Sequence, residues 1–242
     1  MSSTVDSQEI EKFEKMAQEW WNPNGKFKQL HKFNPNRLLF MRRKICEFFN
    51  LDEKSLTPFT SLKIVDIGCG GGLIAEPFCK MGGNVTAIDA SPINIGIAKS
   101  HAEKSGLEIN YLHSTAEELA NKNQQFDVVL ALEIIEHVSD IDLFIKSCSK
   151  LLKPNGLLFI ATLNRTLKSL ALAKIGAEYI LRWLPIGTHD YKKFVKPSQI
   201  FTIATQYQLQ LIELNGFSYN LIKDSWQESS DIDVNYIAIL KK

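Results

Sequence analysis

Apolar residues along this chain fall into two alternating rhythms. Short apolar runs predict strands near 63–68, 84–89, 109–113, 126–132, 157–162, 209–217 and 235–241. Helical periodicity between and around them predicts helices near 73–81, 92–105, 115–119, 141–152, 166–184 and 197–206. This alternation implies an α/β fold with a mostly parallel seven-stranded sheet, covered on both faces. A polar loop without a helix-sized apolar pattern joins the last two strands, so they are expected as an antiparallel pair at one edge. Upstream, Ile10, Phe13, Met16, Ala17 and Trp20 give residues 8–21 a helical period. Pro23, Gly25 and Pro35 predict an ordered loop or lid over 22–36. A helix from about Pro35 to Phe49 and a polar linker over 50–60 follow. The pattern divides the chain into an N-terminal helical cap or lid, 1–60, and an α/β domain, 61–242, without an internal repeat.

The first strand ends in chemistry. Ile64-Val65-Asp66-Ile67 runs into Gly68-Cys69-Gly70-Gly71-Gly72, a buried strand stopping at a turn where backbone can approach a ligand. The second strand ends at Asp89, about twenty residues past Gly68, the separation at which a carboxylate meets a ribose diol. A nucleoside-containing cofactor is therefore expected. The dinucleotide fingerprint needs a glycine at its sixth position, where this chain has Leu73, which disfavours a nicotinamide oxidoreductase. Asp66, Ile67, Gly68, Gly70 and Gly72 instead resemble motif I of the class I S-adenosylmethionine (SAM) methyltransferases. That resemblance implies a Rossmann-like fold, with Asp66 near the sulfonium and amino-acid end of SAM. It also places the turn at Ser114-Thr115-Ala116, where Thr115 is a plausible N-cap, over the adenine.

Charge narrows the partners. Lys and Arg total 28 against 27 Asp and Glu, so no strongly basic face for nucleic acid is expected. The four cysteines, Cys46, Cys69, Cys79 and Cys148, have no Cys-x-x-Cys or zinc spacing and read as reduced, mostly buried thiols. Residues 1–19 are polar and acidic, with neither an apolar signal core nor transit-peptide character. No segment is long and uncharged enough to span a bilayer. A cytoplasmic, bacterial location is the expectation.

The fourth strand ends at Leu132, which should touch the cofactor because open α/β sheets bind ligands beyond the carboxyl ends of their strands. Glu133, Glu136 and His137 follow at i, i+3 and i+4 and project to one side if the turn is helical. Two carboxylates and an imidazole can hold Mg²⁺ or another divalent cation, with positions left for substrate. Alternatively, His137 works alone as a general base.

Segments outside this core are more distinctive. They are Trp20-Trp21-Asn22-Pro23-Asn24-Gly25, Asn34-Pro35-Asn36-Arg37-Leu38, Thr162-Leu163-Asn164-Arg165, Gly176-Ala177-Glu178-Tyr179, Gly187-Thr188-His189-Asp190 and Asp233-Val234-Asn235-Tyr236. Together they resemble the ubiquinone-biosynthesis O-methyltransferases over nearly the whole chain. The resemblance implies methylation of a catechol hydroxyl on polyprenyl benzenediol and demethylubiquinol intermediates. It implies SAM contacts at Arg37, Gly68, Asp89 and Leu132, with metal ligands at Glu133, Glu136 and His137 and catalysis by His137 and Glu136. Arg37 suits the methionyl carboxylate, since a guanidinium binds it with two parallel hydrogen bonds. The chain departs from the family pattern at Leu132, where the bacterial form has methionine, and at Asn22, where aspartate is common.

Residues 166–184 carry a narrow stripe through Lys168, Ala171, Lys174, Glu178 and Arg182, opposite a broad apolar face. Such a helix packs on a core or lies in a membrane interface. A polyprenyl substrate implies the second, so 165–196 is expected as an insertion facing substrate and an anionic membrane. Peripheral association with the bacterial inner membrane and contact with a ubiquinone-biosynthesis complex follow as expectations. The competing readings are methylation of another soluble phenol or carboxylate, and a non-catalytic SAM-binding scaffold.

Overall fold

The computed structural model describes residues 3–172 and 190–242. Two short elements, α1 (Ser7–Glu14) and a 3₁₀ turn (Ala17–Glu19), precede the long helix α2 (Lys28–Phe49). Then β1 (Lys63–Ile67), α3 (Ala75–Lys80), β2 (Asn84–Asp89), α4 (Pro92–Lys104), β3 (Asn110–His113), α5 (Ala116–Asn121) and β4 (Phe126–Leu132) alternate. A 3₁₀ turn (Ile135–His137), α6 (Ile141–Leu151), β5 (Leu152–Leu163) and the single turn α7 (Leu167–Ser169) follow. The chain closes with another 3₁₀ turn (Tyr191–Lys193), α8 (Pro197–Gln206), β6 (Gln210–Asn220), β7 (Ser225–Ser229) and β8 (Asn235–Lys241).

The strands make one sheet in the order β3-β2-β1-β4-β5-β8-β6-β7. The first five are parallel, and β8 runs antiparallel to both β5 and β6. Period-two alternation explains the packing. In β4, Val128, Leu130 and Leu132 enter the core on one face, while Phe126, Val129 and Ala131 enter the other. In β5, Leu157, Phe159 and Ala161 share the first face, and Leu158 and Ile160 the second. Both faces of these strands are buried, so their sequences read as continuous apolar runs. Strand order reverses between β1 and β4, which opens a crevice at their carboxyl ends.

Two sequence expectations change. The sheet has an eighth strand, β7, which pairs antiparallel with β6. Its residues Ser225-Trp226-Gln227-Glu228-Ser229 are polar apart from Trp226, so no apolar run marks it. The 22–36 loop shrinks because α2 begins at Lys28 and carries Pro35 inside it. Proline there cannot donate to the carbonyl of His31. Burial of Phe33, Asn34 and Arg37 on either side holds the helix through that gap. α2 also sends Phe40, Met41 and Ile45 into the first sheet face's core. Of the long helix expected over 166–184, residues 166–172 are described and include the turn α7, while 173–184, like much of the 165–196 insertion, lie outside the described residues.

The cysteines form no disulfide, and Cys46, Cys69 and Cys148 are buried. Among the described residues no helix is long and apolar enough to cross a membrane.

Candidate functional site

A cavity of about 710 Å³ lies beyond the carboxyl ends of β1, β2 and β4. The glycine turn forms one wall. The amides of Gly68 and Cys69 donate to the Ile88 carbonyl at 2.8 and 3.0 Å, tying the turn to the end of β2. Asp89 holds it from the side: its Oδ2 accepts from the Gly70 amide at 2.9 Å, and its Oδ1 accepts from the Ser91 amide at 2.8 Å. Burial pushes the Asp89 carboxyl up, against the pull of those two amides.

The Trp20-Trp21 pair explains part of the glycine requirement. Gly70 has φ 53, and a Cβ there would come within 2.5 Å of the Trp20 ring. A Cβ on Gly71 would also come within 2.5 Å of Trp20. Trp20 stacks on Phe27 with ring centroids 3.7 Å apart and donates from Nε1 to Asn94 Oδ1 at 2.9 Å. Trp21 donates from Nε1 to the Gly71 carbonyl at 2.8 Å and stacks on His101. The N-terminal segment thus grips the outer side of the turn. Sequence reasoning attributed these glycines to the ligand alone.

Behind the turn lies a compact charge cluster. Arg37 is 2% exposed; its Nη1 donates to Glu133 Oε1 at 2.7 Å and its Nη2 donates to Asn34 Oδ1. Burial works against the guanidinium charge, and the carboxylates of Glu133, Asp66 and Glu136 answer it. Burial and the neighbouring Asp89 push Asp66 up to about 7, with Arg37 pulling the other way. Arg37 Nε and Asp66 Oδ2 are buried without a hydrogen-bond partner, although both residues line the cavity. One orphaned donor and one orphaned acceptor suit a zwitterionic ligand such as the amino-acid end of SAM. On the opposite side, Thr115 caps α5 as expected, in a reciprocal capping box with Glu118. Leu132 and Ser114 also line the cavity.

The turn after β4 departs from the expected geometry. Glu133 has φ 53 and precedes a 3₁₀ turn, so the turn is not α-helical from Glu133 onward. The three side chains go to three partners: Glu133 to Arg37, Glu136 to Thr162 and His137 to Glu9. Among the described residues no three His, Cys, Asp or Glu groups are placed to hold a metal ion. As arranged, Glu133, Glu136 and His137 each hydrogen-bond a different group, Arg37, Thr162 and Glu9. The Thr162 hydroxyl donates to Glu136 Oε2 at 2.8 Å. Burial and the Glu133 charge push the Glu136 carboxyl well above its ordinary range. Burial opposes the imidazolium of His137, but Glu9's hydrogen bond and the Glu136 charge outweigh it and hold its pKa up.

Glu9 is the site residue that sequence reasoning missed. It lies on α1, 128 positions from His137, and no local spacing links the two.

A doubly covered sheet reversing between β1 and β4, a glycine turn at the switch point and an acid ending β2 define a class I SAM-dependent methyltransferase. Solved structures agree on the fold. Magnesium protoporphyrin IX methyltransferase from Synechocystis PCC 6803, with bound S-adenosylhomocysteine (SAH), superposes at TM-score 0.63 and 17% identity, over 96% of this chain and 94% of that one. N-methyltransferase NodS from Bradyrhizobium japonicum WM9, in complex with SAH, superposes at TM-score 0.61 and 16% identity, over 97% and 98%. The profile of a family described as "Methyltransferase domain" matches residues 65–160. The ubiquinone biosynthesis O-methyltransferase of Bartonella bacilliformis is 55% identical over 99% of this chain and 97% of its own length. That of Brucella anthropi is 51% identical over the same shares. The chain belongs to the ubiquinone biosynthesis O-methyltransferase family.

Proposed function

We propose that the protein transfers the SAM methyl group to a catechol oxygen of a polyprenylated intermediate of ubiquinone biosynthesis. The observation that carries this reading is that one cavity is lined by Gly68, Asp89 and Arg37 and also by His137. In the reading, the groups that bind the cofactor and the group that accepts the proton therefore share one cavity. In the reading, Asp89 binds the ribose diol, Arg37 the methionyl carboxylate, and Leu132 packs on the cofactor. Asp66 faces the cationic end.

The methyl group moves by in-line displacement from a sulfonium, so the protein's tasks are alignment and removal of the phenol proton. Alignment can supply about 7–11 kcal/mol of the barrier. A phenol with a pKa of about 10 is mostly protonated at neutral pH. His137 takes that proton: its Nδ1 is committed to Glu9, which leaves Nε2 for the substrate. Glu136 lies behind this turn as a buried carboxyl, held by Thr162.

The apolar end of the cavity supports a prenylated substrate. Phe33, Phe217, Trp226, Leu172 and Leu221 line it. Leu172 and Leu221 remain exposed, as does Ile222 beside them. A tail leaving here would pass Leu172 and Leu221; in this reading the 165–196 insertion serves the membrane and residues 1–60 the cap.

The test is incubation of the purified enzyme with labelled SAM and short-tailed catechols, with and without a chelator. Label should appear in the mono-O-methylated catechol and survive chelation. Activity lost to the chelator and restored by Mg²⁺ would mean that Glu133, Glu136 and His137 rearrange into a ligand set. Transfer only to a tail-less phenol outside the catechol class would favour the soluble-substrate alternative.

A further inference from the structure

We propose that Asn94 is a positioning residue for the cofactor, relaying the docked position of Trp20 to the carboxylate of Asp89. Ribose recognition then depends on the N-terminal segment lying on the glycine turn. The inference rests on the reading of Asp89 as the ribose ligand.

Asn94 is the third residue of α4 and is 2% exposed. Its backbone amide donates to Ser91 Oγ at 3.1 Å, which fixes where its side chain starts. The side chain then bonds in two directions. Oδ1 accepts from Trp20 Nε1 at 2.9 Å, and Nδ2 donates to Asp89 Oδ1 at 3.2 Å. An indole N–H can only donate, and an ionised carboxylate can only accept. The partners therefore set the amide's orientation. Flipped, it would turn its NH₂ against the indole N–H and its carbonyl against the carboxylate.

Asp89 is what this relay holds. Its Oδ1 takes the Ser91 amide at 2.8 Å as well as Asn94, which fills both lone pairs. Its Oδ2 takes the Gly70 amide at 2.9 Å and keeps an acceptor site. Asp89 lines the cavity, so that site is available to a ribose hydroxyl. The Ser91 and Gly70 donors belong to the backbone of the cofactor loops. Asn94 differs, because its other end is bonded to the N-terminal segment. Trp20 also reaches Asp89 by a second route, since its ring lies against Gly70, whose amide bonds Oδ2. Contacts within the segment place Trp20 itself: its ring stacks on Phe27, and its carbonyl meets His31 Nε2 at 2.8 Å. By reciprocity, a ribose held by Asp89 favours the docked Trp20.

The test measures binding of SAH and of its 2′,3′-dideoxy analogue by calorimetry. The proteins are wild type, Asn94→Leu, Trp20→Phe, the double variant and Asp89→Ala. Trp20→Phe keeps an aromatic ring on Phe27 and the glycine turn but removes the N–H. It reads the relay from its other end, so the test does not depend on one variant folding. Wild type should prefer SAH over the dideoxy analogue by about tenfold or more, the worth of a charge-assisted hydrogen bond. Asp89→Ala sets the floor of that preference. Asn94→Leu should reduce it to about threefold or less while binding the dideoxy analogue nearly as wild type does. Trp20→Phe should reduce it too, and adding Trp20→Phe to Asn94→Leu should reduce it no further. An unchanged preference in both single variants, with both ligands weakened equally, would overturn the proposal and make Asn94 a purely structural residue. A Trp20→Phe effect undiminished by Asn94→Leu would overturn it too, because Trp20 would then act without Asn94. A wild type that binds both ligands equally would instead remove the underlying reading of Asp89.

Discussion

At the scale of single residues, Asp66 carries the clearest pH signature. Its pKa is pushed from an ordinary 3.8 up to about 7 in the folded, unliganded protein. Between those values the folded state binds more protons than the unfolded one, so this group's contribution to stability falls as pH rises through the window. Asp66→Asn should flatten that part of the stability–pH curve, read by denaturant titration. The same shift acts on binding with opposite sense. A cationic sulfonium favours the ionised carboxylate, so SAM should bind more tightly as pH rises toward and through 7, and SAH, without that charge, should change less. Calorimetry of both ligands from pH 6 to 8 tests this, and parallel curves would remove Asp66 from the cationic end. Asp89→Ala should weaken SAM by about 1.5–3 kcal/mol, the worth of a charge-assisted hydrogen bond. Unchanged affinity in a folded variant would take Asp89 out of the site. Asp66, Gly68 and Asp89 were legible because each sits where a strand ends and local spacing carries the information. Glu9 was not. A glutamate on a short amphipathic helix reads as solvated, and its burial depends on Lys193 and His137, far away in sequence.

At the scale of elements, the parallel strands were legible because burial on both faces leaves unbroken apolar runs. β7 was not, since an edge strand with one half-buried tryptophan has nothing to alternate. The start of α2 was hidden by Pro35, whose local cost is overridden by aromatic packing: Phe33 meets Phe217 at 5.1 Å and Trp226 at 4.4 Å. The contact between Trp20 and the glycine turn makes a prediction at this scale. Gly71→Ala should be strongly destabilising because its new methyl collides with Trp20. Trp20→Ala should cost about 3–5 kcal/mol as a buried aromatic truncation. The double variant should then cost clearly less than the sum, because the collision has gone. Strict additivity in urea unfolding would mean that the turn is not packed against Trp20 as described. Lys193→Met should raise the KM for the catechol, and leave SAM affinity nearly unchanged, because Lys193 ties α1 and not the glycine turn.

At the scale of the whole molecule, the N-terminal segment and the middle of the chain build one site. The sheet's switch point supplies the cofactor turn, and the N-terminal segment closes over it, gripping Gly70 and Gly71 through Trp20 and His137 through Glu9. Fold and cofactor were readable from the core pattern, and the family from the flanking motifs. The surroundings of His137 were not readable, because they are assembled from α1, the turn after β4 and Lys193. The most direct measurement is the rate of label transfer from SAM to a short-tailed catechol by wild type and His137→Ala, with SAM affinity measured on both. The account predicts O-methylated catechol from the wild type and a loss of about 10²–10⁴-fold in kcat for His137→Ala at unchanged SAM affinity. Absence of transfer by the wild type, or an undiminished rate in His137→Ala, would contradict it.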